Sequence, residues 1–181
     1  MDPKARLLEN YLVAAARLGD RRALGQLVNL RGPRLFAHAY RLLGDREEAR
    51  DVVQEAWIDI ARGLKGLREE AAFPAWATRI VSRKVARLIK GKIATREAMQ
   101  ELAAEDTEPL ADLPEQALKA ASVRAAIAGL PAEQSATIAL FYLEDMSVAE
   151  VAIALDIPPG TVKTRLMHAR RKLRETLKGE V

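Results

Sequence analysis

The chain has 181 residues, 49% hydrophobic and 30% charged, with a formal net charge of +4 and a pI near 9.5, which bounds it to one medium domain or two small ones with both a buried core and a solvated surface. It has no cysteine, so disulfides, thiolate metal sites and cysteine nucleophiles are excluded. The charged start MDPKARLLEN does not read as a signal peptide and no stretch approaches the ~20 apolar residues that span a bilayer, so a cytoplasmic protein without membrane insertion is expected.

Ala, Leu, Arg and Glu dominate, β-branched runs are short and no period-2 alternation persists, which predicts an all-α chain. A first helix over about residues 4–18 stops at Gly19, and Asp20 is placed to cap the next. Gly32-Pro33 is expected to interrupt or kink that second helix, because proline lacks an N–H and restricts the residue before it. Its continuation ends at Gly44, and Asp45 followed by Glu48 has capping-box spacing. The helix so opened, over about 46–64, places Ala49, Val53, Trp57, Ile60 and Leu64 on one face. Asp51, Gln54, Glu55 and Asp59 fall on the rest of its surface. A charged loop, Lys65 to Glu70, leads to Phe73-Pro74-Ala75-Trp76 and a basic helix expected to end near Gly91.

Charge is segregated. Residues 78–96 carry seven bases (Arg79, Arg83, Lys84, Arg87, Lys90, Lys92 and Arg96) and no acid, whereas 97–116 carry seven acids and no base. The acidic stretch reads as a linker, and Pro114 fits the first turn of a helix running to about Ala128. Gly129 closes that helix and Pro131 opens another. Ser147-Val148-Ala149-Glu150 is a capping-box pattern for a short helix, Asp156 falls where the turn needs a left-handed residue, and Pro158-Pro159-Gly160 supplies the turn. The helix that follows carries seven bases against Glu175 alone, with Val162, Leu166, Ala169, Leu173 and Leu177 inward. Two helices joined by a tight turn, the second strongly basic, are a helix-turn-helix; an ordinary αα-hairpin has no need of those cations.

In such a motif the first turn of the second helix reaches base edges, so Lys163, Thr164 and His168 are candidates for direct readout, with Met167 on the same exposed face. Arg165, Arg170, Arg171 and Lys172 are placed as phosphate contacts. No catalytic constellation, metal cluster or Gly-rich phosphate loop is evident, so no catalytic residue, metal or cofactor is expected. His38 reads as surface or boundary filler, and Trp57 and Trp76 as core, since aromatics at 4% poorly supply a base-stacking surface.

The strings DREEARDVVQEAW, FPAWATRIVSRKVARLIK and LPAEQSATIALFYLEDMSVAEVAIALDIPPGTVKTRLMHARRKLR resemble, in order, the polymerase-binding helix, the segment after it and the C-terminal domain of bacterial RNA polymerase sigma factors of the extracytoplasmic-function (ECF) group. The resemblance implies two small helical domains, 1–92 and 115–181, joined by an acidic linker at 93–114, the second a four-helix domain containing the helix-turn-helix. It implies binding of core RNA polymerase through Asp51, Gln54, Glu55, Ile58 and Asp59. Contact with the downstream promoter element, called −10, would come through Arg79, Arg83, Lys84, Arg87 and Lys90, and with the upstream, −35, element through the last helix. The expected partners are core polymerase, promoter DNA and an anti-sigma factor, with the chain a monomer when free. At two positions the chain departs from the family's pattern. Arg83 stands where asparagine often captures a base, and Arg87 where a polar or acidic residue often follows, so the family's downstream base preference is not carried over. Two other classes were weighed, a sigma-like decoy that sequesters an anti-sigma factor and a simple helix-turn-helix regulator. The latter leaves the acidic Asp45–Leu64 helix and the first basic patch without a use.

Overall fold

The computed structural model describes residues 3–98 and 125–178, and every regular element among them is helical. Helix α1 (Pro3–Arg17) gives way at Gly19, whose φ of 98° lies in the left-handed region where a side chain is strained. Asp20 then caps α2 (Arg21–Leu43), its carboxylate accepting the Arg22 and Ala23 amides at 2.8 and 3.2 Å.

The expected break at Gly32-Pro33 does not occur, and α2 runs through both residues. Pro33 is exposed and lies over exposed Asn29, so the carbonyl that loses its partner faces water. Buried Leu27, Arg31, Leu35 and Ala39 anchor the helix on both sides of the gap. Packing therefore outweighs one lost backbone hydrogen bond.

Gly44, in the left-handed region, ends α2 by donating its N–H to the Tyr40 carbonyl at 2.8 Å. Asp45 caps α3 (Arg46–Gly63) by accepting the Glu48 amide at 2.9 Å. The reciprocal half of the expected box is not made; Glu48 turns to Lys92 on α4 instead. Two 3₁₀ turns, Leu64–Gly66 and Glu70–Ala72, replace the expected loop before α4 (Phe73–Ala98), which continues past Gly91. Leu12, Leu27, Leu35, Ile60, Phe73 and Val81 close one core among these helices, with Trp57 and Trp76 half-buried against it, as expected.

The second core gathers Ile127, Ile138, Val151, Val162 and Leu166. Residues 125–128 are helical, followed by α5 (Ala132–Tyr142), α6 (Val148–Leu155) and α7 (Pro159–Lys178). The capping box that opens α6 is complete: Ser147 Oγ accepts the Glu150 amide at 3.2 Å and Glu150 Oε2 accepts the Ser147 amide at 2.7 Å. Asp156 closes α6 at φ 57° and ψ 44°, and Pro159 takes the first position of α7. The architecture is two helical domains, with α4 of the first lying against α6 of the second and α2 against α5.

Candidate nucleic-acid interface

Burial of Val162, Leu166 and Ala169 fixes the rotation of α7. Lys163, Thr164 and Met167 are then exposed in its first two turns and His168 is half-buried beside them. Thr164 Oγ1 donates to the Gly160 carbonyl at 3.1 Å, which holds the hydroxyl close to the helix N-terminus. Farther along, Arg171, Lys172 and Arg174 stand in solvent. Two of the predicted cations have other company. Arg165 pairs with Glu133 of α5 at 2.5 Å, and Arg170 donates to Tyr142 Oη at 2.9 Å with its guanidinium over the Phe141 and Tyr142 rings. These contacts clamp the middle of α7 to α5 and leave its two ends open.

On α3, buried Ala49, Val53, Ala56 and Ile60 turn Asp51, Gln54, Glu55 and Ile58 outward, with Asp59 at the edge of the same face. The five predicted residues recur at three- and four-residue spacing and form one strip. Ile58 is 48% exposed amid these acids, an apolar side chain open to solvent.

The predicted basic residues of α4 do not share one environment. Lys84 lies between helices, 2.8 Å from Asp59 and 3.3 Å from Glu55 of α3. The hydrogen bond to Asp59 raises the Lys84 ammonium above its ordinary pKa and holds the Asp59 carboxyl below the usual carboxylate range. Arg87 and Lys90 are exposed. Arg79 and Arg83 reach across to the second domain, where Asp156 Oδ1 accepts Arg79 Nη2 at 2.7 Å and Oδ2 accepts Arg83 Nε at 3.0 Å. The two guanidiniums, Arg83 foremost, hold the Asp156 carboxyl below its ordinary range.

Several residues at this junction had no part in the sequence reading. Glu144 Oε2 accepts Arg31 Nη1 at 2.8 Å and Arg34 Nη1 at 3.2 Å. Arg31 is buried and also meets Glu9 of α1, its Nε 2.8 Å from Oε1. Burial pushes the Glu9 carboxyl above its ordinary range, against the pull of Arg31. His38, expected as surface or boundary filler, is instead 2% exposed and stands 2.9 Å from Ser82 Oγ through Nε2. Ser82 Oγ lies 2.7 Å from the Ala154 carbonyl of the second domain. If the hydroxyl proton goes to that carbonyl, the nearest acceptor, Nε2 of His38 is the protonated nitrogen and Nδ1 is left buried without a partner. Arg31 alone had a local signal, a charge in the helical phase of Leu27 and Leu35.

Among the described residues no cluster of His, Asp or Glu could hold a metal ion, and no helix is long and apolar enough to cross a membrane.

Two family models match this chain, Sigma-70 region 2 over residues 27–95 and Sigma-70, region 4 over residues 120–173. The ECF RNA polymerase sigma factor SigM of Mycobacterium tuberculosis is 32% identical over 166 residues, covering 92% of this chain and 83% of its own. SigW of Bacillus subtilis, also an ECF RNA polymerase sigma factor, is 29% identical, covering 88% of this chain and 91% of its own. Among solved structures, CnrH in complex with the cytosolic domain of CnrY superposes with a TM-score of 0.62 at 26% identity, over 96% of this chain and 99% of that one. With α3 presenting an acidic strip and α7 a basic helix, the chain belongs to the ECF RNA polymerase sigma factors.

Proposed function

We propose that this sigma factor binds core RNA polymerase through the outward strip of α3 and engages promoter DNA at two places. Helix α4 serves the −10 element through Arg79, Arg83, Arg87 and Lys90, and α7 serves the −35 element. Within α7, Lys163, Thr164 and His168 read base edges, with Met167 packing beside them. Arg171 and Lys172 position the helix on phosphates, and Arg165 and Arg170 join them where their present partners yield. Lys84 acts from within, bracing α4 against α3, and its use on DNA would need release from Asp59 and Glu55. The domain limits follow as 1–92, 93–114 and 115–181, with the acidic linker outside the described residues. The chain works as a binding subunit without a reaction of its own, in the cytoplasm where polymerase and chromosome meet. An anti-sigma factor, the partner that the family resemblance implies, restrains it; the similar CnrH likewise forms a complex with another protein, the cytosolic domain of CnrY.

The observation that carries this reading is the separation of tasks on the surface: the strip on α3 and the open first turn of α7 are each free of the apolar packing that holds their helix in place. Run-off transcription with purified core polymerase tests it. A promoter-dependent transcript should appear only when the chain is added. Stable capture of an anti-sigma factor without any transcript would replace this reading with that of a decoy.

A further inference from the structure

Helix α1 carries apolar side chains on two opposite faces. Leu12 and Val13 are buried against the first core, with Glu9 beside them paired to Arg31. On the other side Leu7, Tyr11, Ala14 and Leu18 recur at four-, three- and four-residue spacing. Leu18 keeps this phase although α1 ends at Arg17, because its N–H still reaches the Ala14 carbonyl at 3.3 Å. Leu7 and Tyr11 are 69% and 68% exposed, Leu18 is 91% exposed, and half-exposed Leu8 widens the stripe. A helix that is apolar on both sides is ordinarily enclosed, yet among the described residues nothing covers these side chains.

The charges around the stripe select its partner. Lys4 and Arg6 in the first turn are exposed, as are Arg21 and Arg22 just beyond Leu18. Of the nearby acids, Asp20 caps α2 and Glu70 is paired with Arg17. Two copies joined through the stripe, in either direction, would set basic ends against basic ends. Side chains standing this far into solvent also form a ridge, which offers a partner helix no groove to enter. A ridge of leucine and tyrosine bordered by lysine and arginine suits a soft anionic surface, where apolar tips sink below headgroups that the cations meet. Tyrosine, with an apolar ring and a polar hydroxyl, fits that depth. With 15 residues α1 is about 22 Å long, short of the ~30 Å hydrocarbon layer, so it would lie in the surface without crossing it.

We propose that α1 is a peripheral membrane-binding helix, through which the chain adsorbs reversibly on anionic phospholipid. Leu7, Tyr11 and Leu18 enter the boundary of the acyl layer, and Lys4, Arg6, Arg21 and Arg22 meet headgroup phosphates. So short a stripe gives weak binding that depends on both contributions, so the chain is held near the membrane and remains free to leave it. Neither the α3 strip nor the reading face of α7 takes part, so the inference stands apart from the promoter reading.

Co-sedimentation of the full chain with vesicles tests this, comparing phosphatidylglycerol mixed into phosphatidylcholine with phosphatidylcholine alone. The anionic vesicles should bind the chain at low salt at least ten-fold more tightly than the zwitterionic ones, and added salt should weaken that binding. The combined variant Leu7→Gln, Tyr11→Gln and Leu18→Gln should lose at least ten-fold in affinity for the anionic vesicles. Helices α4 and α7 are basic too, so charge alone could draw the chain to such vesicles, and the point of entry needs its own readout. The sequence has no cysteine, so an environment-sensitive dye placed at Leu7→Cys or at Glu175→Cys, both exposed, reports which helix enters the apolar layer. The expected result is a blue shift of emission at position 7 and none at position 175. Absence of binding to the anionic vesicles overturns the proposal, as does undiminished binding of the glutamine variant or a shift at 175 without one at 7. A lipid-free dimer that the glutamine variant returns to monomer overturns it as well, in favour of a second copy on the stripe. Should the glutamine variant lose its helical signal by circular dichroism, the two dye positions decide.

Discussion

Burial of His38 as a neutral ring should make this protein lose stability as pH falls below 6.5, before carboxylates titrate. The ring is fully buried, and its pKa is lowered from 6.5 to about 3, first by burial and then by the charge of Arg41. The geometry supplies the reason: with the Ser82 proton on the Ala154 carbonyl, Nε2–H is spent on Ser82 Oγ, and a proton added at Nδ1 would find no acceptor. The sign follows from which state takes up the proton. Unfolded chain binds it as pH falls through 6.5, folded chain does not until about 3, so stability is full above 6.5 and declines through the window between. At ~1.36 kcal/mol per unit, the loss is about 1.4 kcal/mol near pH 5.5 and about 2 kcal/mol near pH 5. Urea denaturation between about pH 7.5 and pH 5 reads this as a falling midpoint at constant m-value. The control is His38→Gln, whose amide can still donate to Ser82 and does not titrate. Equal slopes in the wild type and the glutamine variant would refute the reasoning, as would stability that is flat to about pH 5.

Two further outcomes are expected. Charge reversal at both Asp51 and Glu55 should weaken co-purification with core polymerase by at least ten-fold, on the order of the coupling measured for close charge pairs across interfaces, while circular dichroism keeps its helical signal, since both side chains are exposed. On α7, Lys163→Ala should cost about 1–3 kcal/mol at one promoter position and relax preference there. Lys172→Ala should instead weaken all sequences alike and lower the salt slope by about one unit, measured by titrating a base-by-base promoter set at several salt concentrations.

Most of the fold was legible from local signals. The Ser147–Glu150 box, the left-handed Asp156 and the Asp20 cap each depend on residues within one turn, so spacing alone exposes them. The apolar phase of α3 and α7 likewise shows which side chains face outward, and the family resemblance gave those strips their candidate roles. Pro33 misled because local propensity was overruled by Leu27 and Leu35 packing on either side. Gly91 misled because a single glycine costs a helix only about 1 kcal/mol, which does not oblige it to end. The junction was invisible because its partners, such as Arg31 with Glu144 and Arg79 with Asp156, are far apart in the chain, and apart from Arg31 each alone looks like an ordinary surface charge. His38 was misread for the same reason, its burial being supplied by neighbours the sequence does not bring near it.

Arg31 also bears on how far the first domain depends on the second. A guanidinium this deeply enclosed would be stranded at heavy cost if its sole counter-charge left with the other domain. Glu9, however, comes from α1 of the same domain and would stay with Arg31 if Glu144 departed. The first domain thus holds a counter-charge for Arg31 that does not depend on the second domain. A carboxylate from the same domain makes the contact with the other expendable to this one buried guanidinium.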